Sequence, residues 1–260
     1  MSITVDVILF LAAALGGALN SVVGGATFVI FPALLFAGVA PISANATSCI
    51  VVWPAALASA AAYREDIKVS RRLLLLMGTA SFAGGAVGAR LLLHTPSASF
   101  VHLIPWLLLF ASTLFTFGGA LSARLGAGAA TVHDDSKTLA LVAAAQFFIS
   151  IYGGYFGAGM GILMLAAFAV GGIGNIHAMN GLRSGLALLI NGVAIASFIL
   201  AGAIDWRPGL VMAVGATLTG YAGARVARRV DPKSVKRLVM VVAWGMTVYF
   251  FLKTYHMVGT

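Results

Sequence analysis

Six apolar stretches leave this chain few folds to choose from. They run over 42–63, 73–93, 104–123, 139–174, 178–203 and 210–226. A helix crosses the hydrocarbon core of a bilayer in about 20 residues, and each stretch is near or above that length. Only 9% of the 260 residues are charged, whereas 61% are hydrophobic. Soluble domains carry about 25% charged residues, and a soluble fold of this length could not hide so much apolar surface. Lipid is therefore the solvent for most of the chain, and the expected fold class is an all-α polytopic membrane protein. No apolar block precedes a cleavage-like site and residues 1–7 carry no positive n-region, so no removable signal peptide is expected.

The formal charge of +9 does not point to nucleic acid. Six of the sixteen basic residues crowd into 225–237, between two apolar blocks. Such clusters ordinarily fix topology by facing the cytoplasm. The single cysteine, Cys49, excludes an internal disulfide and any cysteine-cluster metal site. It reads as a small packing residue in a helix.

The chain also repeats itself. Adding 135 to Gly24, Asn45, Gly85, Gly88, Ala89 and Arg90 gives Gly159, Asn180, Gly220, Gly223, Ala224 and Arg225, all without a gap. Chance supplies some glycine and alanine matches, but a constant offset across residues 24–90 is harder to dismiss. The stretch 124–137, with Gly126, Gly128, Asp134 and Asp135, is the only long polar segment and reads as a loop. The expected division is a first membrane repeat over 1–124, a connecting loop over 125–137 and a second repeat over 138–260.

Charge sets the relative direction of the halves. Residues 64–72 hold Arg64, Lys68, Arg71 and Arg72, whereas the matching 199–207 holds only Arg207. Conversely, 225–237 is basic and its counterpart 90–102 holds only Arg90. If basic loops face the cytoplasm, the repeats are inverted and each crosses the membrane an odd number of times. The glycine-rich blocks 5–38 and 138–174 are each too long for one pass. At about 1.5 Å per residue the second would reach roughly 55 Å, against a core of about 30 Å. Each block therefore reads as a broken helical hairpin, bent near Gly24 and Gly25 and between Gly153 and Gly161, whose arms either span fully or re-enter. The expectation is two inverted repeats, each a Gly-broken hairpin plus three transmembrane helices, with both termini outside the cytoplasm.

Irregular backbone at membrane depth is tolerated only within protein or beside a water-filled cavity, and paired broken helices usually mark a transporter's site. The candidates are Asn20, Ser21, Gly24, Gly25 and Thr27 at the first bend and Tyr152, Tyr155, Gly157, Gly159 and Gly161 at the second. Glycines let backbone N–H groups point at a ligand, and helix N-termini suit an anion. The glycines alone equally fit close helix packing through small residues; the polar neighbours favour a site. Beyond the second bend His177, Asn180, Arg183 or Ser184, and Asn191 share one helical face. In the first half Asn45 and Ser48 share a face and match Asn180 and Arg183 under the offset.

Arg183 is the most informative of these. It stands five residues into an apolar block, where a guanidinium costs roughly 2.5–3.5 kcal/mol on insertion scales. The seven carboxylates (Asp6, Glu65, Asp66, Asp134, Asp135, Asp205 and Asp231) all fall at ends or loops in this reading. A transported anion or backbone carbonyls would satisfy Arg183; snorkelling from a helix end is the plainer alternative. With no acid inside a span, a coupling proton would ride on His177 or His102, or on the substrate. Arg90 and Arg225 read as interface anchors. Intramembrane acid pairs, a His-Glu metal motif and a nucleophile with a base are all missing, so no enzyme, metal or cofactor is expected.

The run from Asn20 and Ser21 through Gly24 and Gly25 to Phe31, Pro32, Leu34 and Leu35, then Gly38, Asn45, Thr47 and Ser48, resembles the first repeat of the TauE/SafE family. Gly153, Gly157, Gly159, Gly161, Leu165 and Asn180 resemble its second repeat, and Gly202, Asp205, Trp206, Gly220, Gly223 and Arg225 also fit. The chain departs from the family where Gly24, Gly25 and Ala26 replace a triple glycine, and where Ala167 matches Pro32. The resemblance implies secondary transport of sulfur-containing anions, usually export of sulfite or sulfonates such as sulfoacetate, across a bacterial or archaeal inner membrane. The substrate would bind near the midplane between the two hairpins, on Arg183, Asn45, Ser48, Asn180, Ser184 and the glycine bends. An anion channel lined by the same glycines is the alternative.

Overall fold

The structure, a computed structural model, describes residues 2–22, 25–62, 69–126, 136–173, 176–226 and 232–255. Among the described residues the chain forms ten helices and no strand: α1 (Ile3–Val22), α2 (Thr27–Phe36), α3 (Pro41–Ala62), α4 (Arg71–His94), α5 (Ser97–Gly126), α6 (Ser136–Tyr155), α7 (Met160–Val170), α8 (Ile176–Leu200), α9 (Trp206–Val226) and α10 (Pro232–Tyr255). A helix satisfies its own backbone polar groups, which a bilayer cannot do. Among the described residues α1, α4, α5, α8 and α10 contain stretches long and apolar enough to cross a membrane. The chain is a multi-pass membrane protein.

The two glycine-rich blocks are broken hairpins. In the first, α1 turns back into α2, and a Cβ on Gly16 would lie 3.1 Å from the Ile30 side chain across the turn. In the second, α6 turns back into α7, and Gly171 faces Val142, with 2.7 Å from an added Cβ to the valine methyl. The arms are unequal. α1 and α6 have 20 residues each, whereas α2 has 10 and α7 has 11. At about 1.5 Å per residue the long arms reach about 30 Å and the short arms about half that.

The helices gather into two compact units. The first comprises residues 1–55, 93–112 and 198–260. Within it α1 lies along α9 with almost no side chain between. A Cβ on Gly17 would come within 2.3 Å of Ala216 O, and one on Gly215 within 2.7 Å of Phe10 O. Thr219 donates its hydroxyl to Ala14 O at 2.6 Å. In lipid no hydrophobic force draws helices together, so close backbone approach and hydrogen bonds carry the association. Phe36 of α2 meets Tyr249 of α10 edge-on at 5.3 Å. Ser112 of α5 and Thr247 of α10, both buried, bring their hydroxyl oxygens to 3.1 Å at a separation of 135 residues.

The second unit comprises residues 56–92 and 113–197. Here α4 clasps α6. A Cβ on Gly88 would lie 2.1 Å from Ile151 O, and one on Gly154 2.3 Å from Gly85 O. Beside that seam Gln146 donates its amide to Ser81 at 2.9 Å and Ser150 at 3.2 Å. All three residues are buried, and Gln146 Oε1 has no hydrogen-bond partner among the described residues. Met77, Met164, Phe168, Leu182, Leu186 and Ile190 form the unit's core. Each unit joins the hairpin of one sequence half to helices of the other, so compactness follows a different grouping from chain order.

Candidate functional site

The break between α6 and α7 needs glycine for a definite reason. Gly157 and Gly159 have φ of 79° and 78°, the left-handed region where a Cβ is strained. α6 ends with Tyr152 O accepting from the N–H groups of Phe156 at 2.9 Å and Gly157 at 3.1 Å. α7 begins with Met160 N–H donating to Gly157 O at 3.2 Å and Ile162 N–H donating to Gly159 O at 3.0 Å. No backbone carbonyl among the described residues takes the N–H groups of Ala158, Gly159 or Gly161. Gly159 caps α7 without a side-chain hydrogen bond.

Arg183 comes to this helix start from α8. A Cβ on Gly161 would lie 3.2 Å from both Cδ and Nη1 of Arg183, so the glycine is the seat on which the guanidinium rests. Arg183 is half-buried, Asn180 is half-buried one turn earlier, and Ser184 is buried beside it. The first residues of α7 carry the positive end of its dipole. A guanidinium packed against that end gathers like charge, an arrangement that an anion stabilises.

The second unit contains Arg183, Asn180, Ser184, Gly157, Gly159, Tyr152 and Tyr155. Tyr155 is the last residue of α6 and is half-buried. The Tyr152 hydroxyl donates to Ala158 O at 2.5 Å, a bond inside the break. Asn20, Gly25, Asn45 and Ser48 belong to the first unit. Asn20 is half-buried near the end of α1, and Gly25, with φ of 92°, precedes α2. Asn45 is buried on α3. Ser48 is buried and donates its proton to Ala44 O at 2.7 Å. Thr47 beside it accepts from Asp205 N–H at 3.0 Å. Gly24 lies outside the described residues, as do the side chains of Ser21 and His177. The seat at Gly161 and the link from Tyr152 to Ala158 are features that spacing does not announce.

A profile of the sulfite exporter TauE/SafE family matches residues 9–250. Three relatives extend the comparison. A probable membrane transporter protein, ORF9, of Sinorhizobium sp is 28% identical over 92% of this chain and 90% of its own length. One from Haemophilus influenzae is 26% identical over 95% of each. The probable membrane transporter protein YfcA of Escherichia coli K12 is 25% identical over 92% of this chain and 87% of its own. No solved structure gives a significant match.

Proposed function

The chain belongs to the sulfite exporter TauE/SafE family, a family of membrane transporters, and from that premise we propose that it exports a small sulfur-containing anion, sulfite or an organosulfonate such as sulfoacetate. The observation that carries the reading is the Arg183 guanidinium resting on Gly161 at the start of α7. The anion's oxygens accept from that guanidinium and from the N–H groups of Ala158, Gly159 and Gly161, with Asn180 and Ser184 lending polar groups from α8. Charge recognition belongs to this break rather than to the other. Under the 135-residue offset the counterpart of Arg183 is Ser48, whose proton is already given to its own helix.

Transport proceeds by alternating access between two inverted repeats, and two features support the duplication. Ser112 and Thr247 are counterparts under the offset and touch each other. In a two-fold arrangement a residue meets its own counterpart only on the axis. The close pairs also correspond, since α1 packs on α9 as α6 packs on α4, and the offset carries α1 onto α6 and α4 onto α9. Opposite charge on equivalent loops supports reading the duplication as inverted.

The test is counterflow in proteoliposomes. Protein loaded inside with unlabelled sulfite should accelerate uptake of labelled sulfite, because a carrier exchanges one bound solute for another. Uptake that neither saturates nor responds to internal sulfite would favour a channel, and no flux of sulfite or sulfoacetate would remove the substrate assignment.

A further inference from the structure

We infer that Tyr152 is a positioning residue whose phenol holds the α6–α7 break in the form that turns N–H groups, and not a carbonyl, toward the anion. The inference rests on the anion site proposed above. Backbone polar groups in lipid each need a partner. In this break the carbonyls of Tyr152, Gly157 and Gly159 take the N–H groups of four nearby residues, Phe156, Gly157, Met160 and Ile162. Ala158 lies between the two left-handed glycines. Among the described residues no backbone N–H reaches its oxygen. The Tyr152 hydroxyl, six residues back, does so at 2.5 Å.

That bond fixes the sense of the Ala158 peptide on its carbonyl side. With the carbonyl held by the phenol, the N–H of Gly159, on the same peptide plane, points the opposite way. Gly159 N–H is one of the three donors offered to the anion. Without the hydroxyl, rotation about Ala158 ψ and the glycine-freed φ of Gly159 lets this peptide turn, and a carbonyl oxygen turned into the site repels an anion. The ring itself is held independently, since Tyr152 packs against the apolar core beneath α7. The first hairpin does not carry a tyrosine at the equivalent place. Its counterpart of Tyr152 is Gly17, which is pressed against Ala216 O. A phenol at position 152, with glycine at its counterpart, sets the α6–α7 break apart from the part of the fold that the halves share.

The test compares sulfite flux in proteoliposomes for wild type, Tyr152→Phe, Gly159→Ala and the double variant. Tyr152→Phe should raise KM about threefold to tenfold, the weight of one net hydrogen bond, with Vmax retained. Because both changes act through one peptide, the double variant should be little worse than the poorer single one. Unchanged KM in Tyr152→Phe, an additive double variant, or a joint loss of Vmax and thermal stability would overturn the inference. Should Gly159→Ala not fold, the split between KM and Vmax in Tyr152→Phe decides alone. Arg183→Lys separates the two levels. If it raises KM while Tyr152→Phe does not, only the role of Tyr152 fails; if it leaves KM unchanged, the anion site itself fails.

Discussion

Substitution at position 161 separates recognition from folding. Gly161 lies in the first turn of α7, and a Cβ there would meet Cδ and Nη1 of Arg183 at 3.2 Å each and Cγ at 3.8 Å. These atoms belong to the flexible end of one side chain, so Gly161→Ala asks it to yield by a few tenths of an ångström. At an effective dielectric near 20 and about 4 Å separation, that displacement costs about 0.3 kcal/mol of ion attraction, less than a twofold change in affinity. Alanine is also the better helix former, by up to about 1 kcal/mol, so thermal stability should hold or rise. Gly161→Val leaves no room for such a small adjustment. It should evict the guanidinium and forfeit its charge-assisted bonds, worth about 1.5–3 kcal/mol, or roughly tenfold to a hundredfold in sulfite KM. Sulfite flux and thermal melts on the same preparations read both quantities. Wild-type KM in Gly161→Val would falsify the seat, as would a loss of affinity in Gly161→Ala matched by an equal loss of stability.

Other substitutions probe the packing. Gly88→Ala drives a Cβ into backbone, 2.1 Å from Ile151 O and 2.8 Å from Tyr155 N, and should lower melting temperature and folded yield sharply, with α4 pushed off α6. Gln146→Leu removes a buried oxygen that has no hydrogen-bond partner among the described residues. It should change stability by no more than about 1 kcal/mol in thermal melts, because an unmet acceptor and two amide bonds leave together. The Arg207–Asp6 pair at 2.8 Å has its arginine 57% exposed, so Arg207→Ala should move the melting temperature very little. In a Cys49→Ala background, Ser112→Cys and Thr247→Cys should form a disulfide on oxidation; its failure to form would contradict the contact on which the two-fold argument relies.

Much of the architecture was legible because lipid imposes strict rules. Apolar length predicted helices, and the glycine-rich blocks 5–38 and 138–174 were too long for one pass, which predicted hairpins. The breaks lie where glycine clusters, at Gly25 and at Gly157 and Gly159. The inequality of the arms was not legible, because α2 and α7 are apolar throughout and nothing in their composition marks a half-length helix. The grouping into units was equally hidden. It depends on close backbone approach at Gly17, Gly85, Gly88 and Gly154, and glycine in a helix does not name the partner it admits. Within the site, a lone arginine in an apolar block drew attention to Arg183. Spacing could not show that Gly161 is its seat, since the two residues lie on different helices. Tyr152 was legible as a polar neighbour of the bend, but its acceptor, Ala158 O, is a backbone atom with no signature in the side chains. Ser48 was legible as a polar residue on the face of Asn45, but its bond to Ala44 O, the carbonyl four residues back, has no mark in the sequence beyond the common habit of helical serines.

Direct binding of sulfite to purified protein, measured by calorimetry for wild type, Arg183→Lys and Arg183→Ala, tests the central claim most closely. Arginine offers a planar pair of donors that lysine cannot reproduce, so affinity should fall in the order wild type, lysine, alanine, with alanine at least about tenfold weaker than wild type. Equal affinity in all three proteins would contradict an anion held at the start of α7.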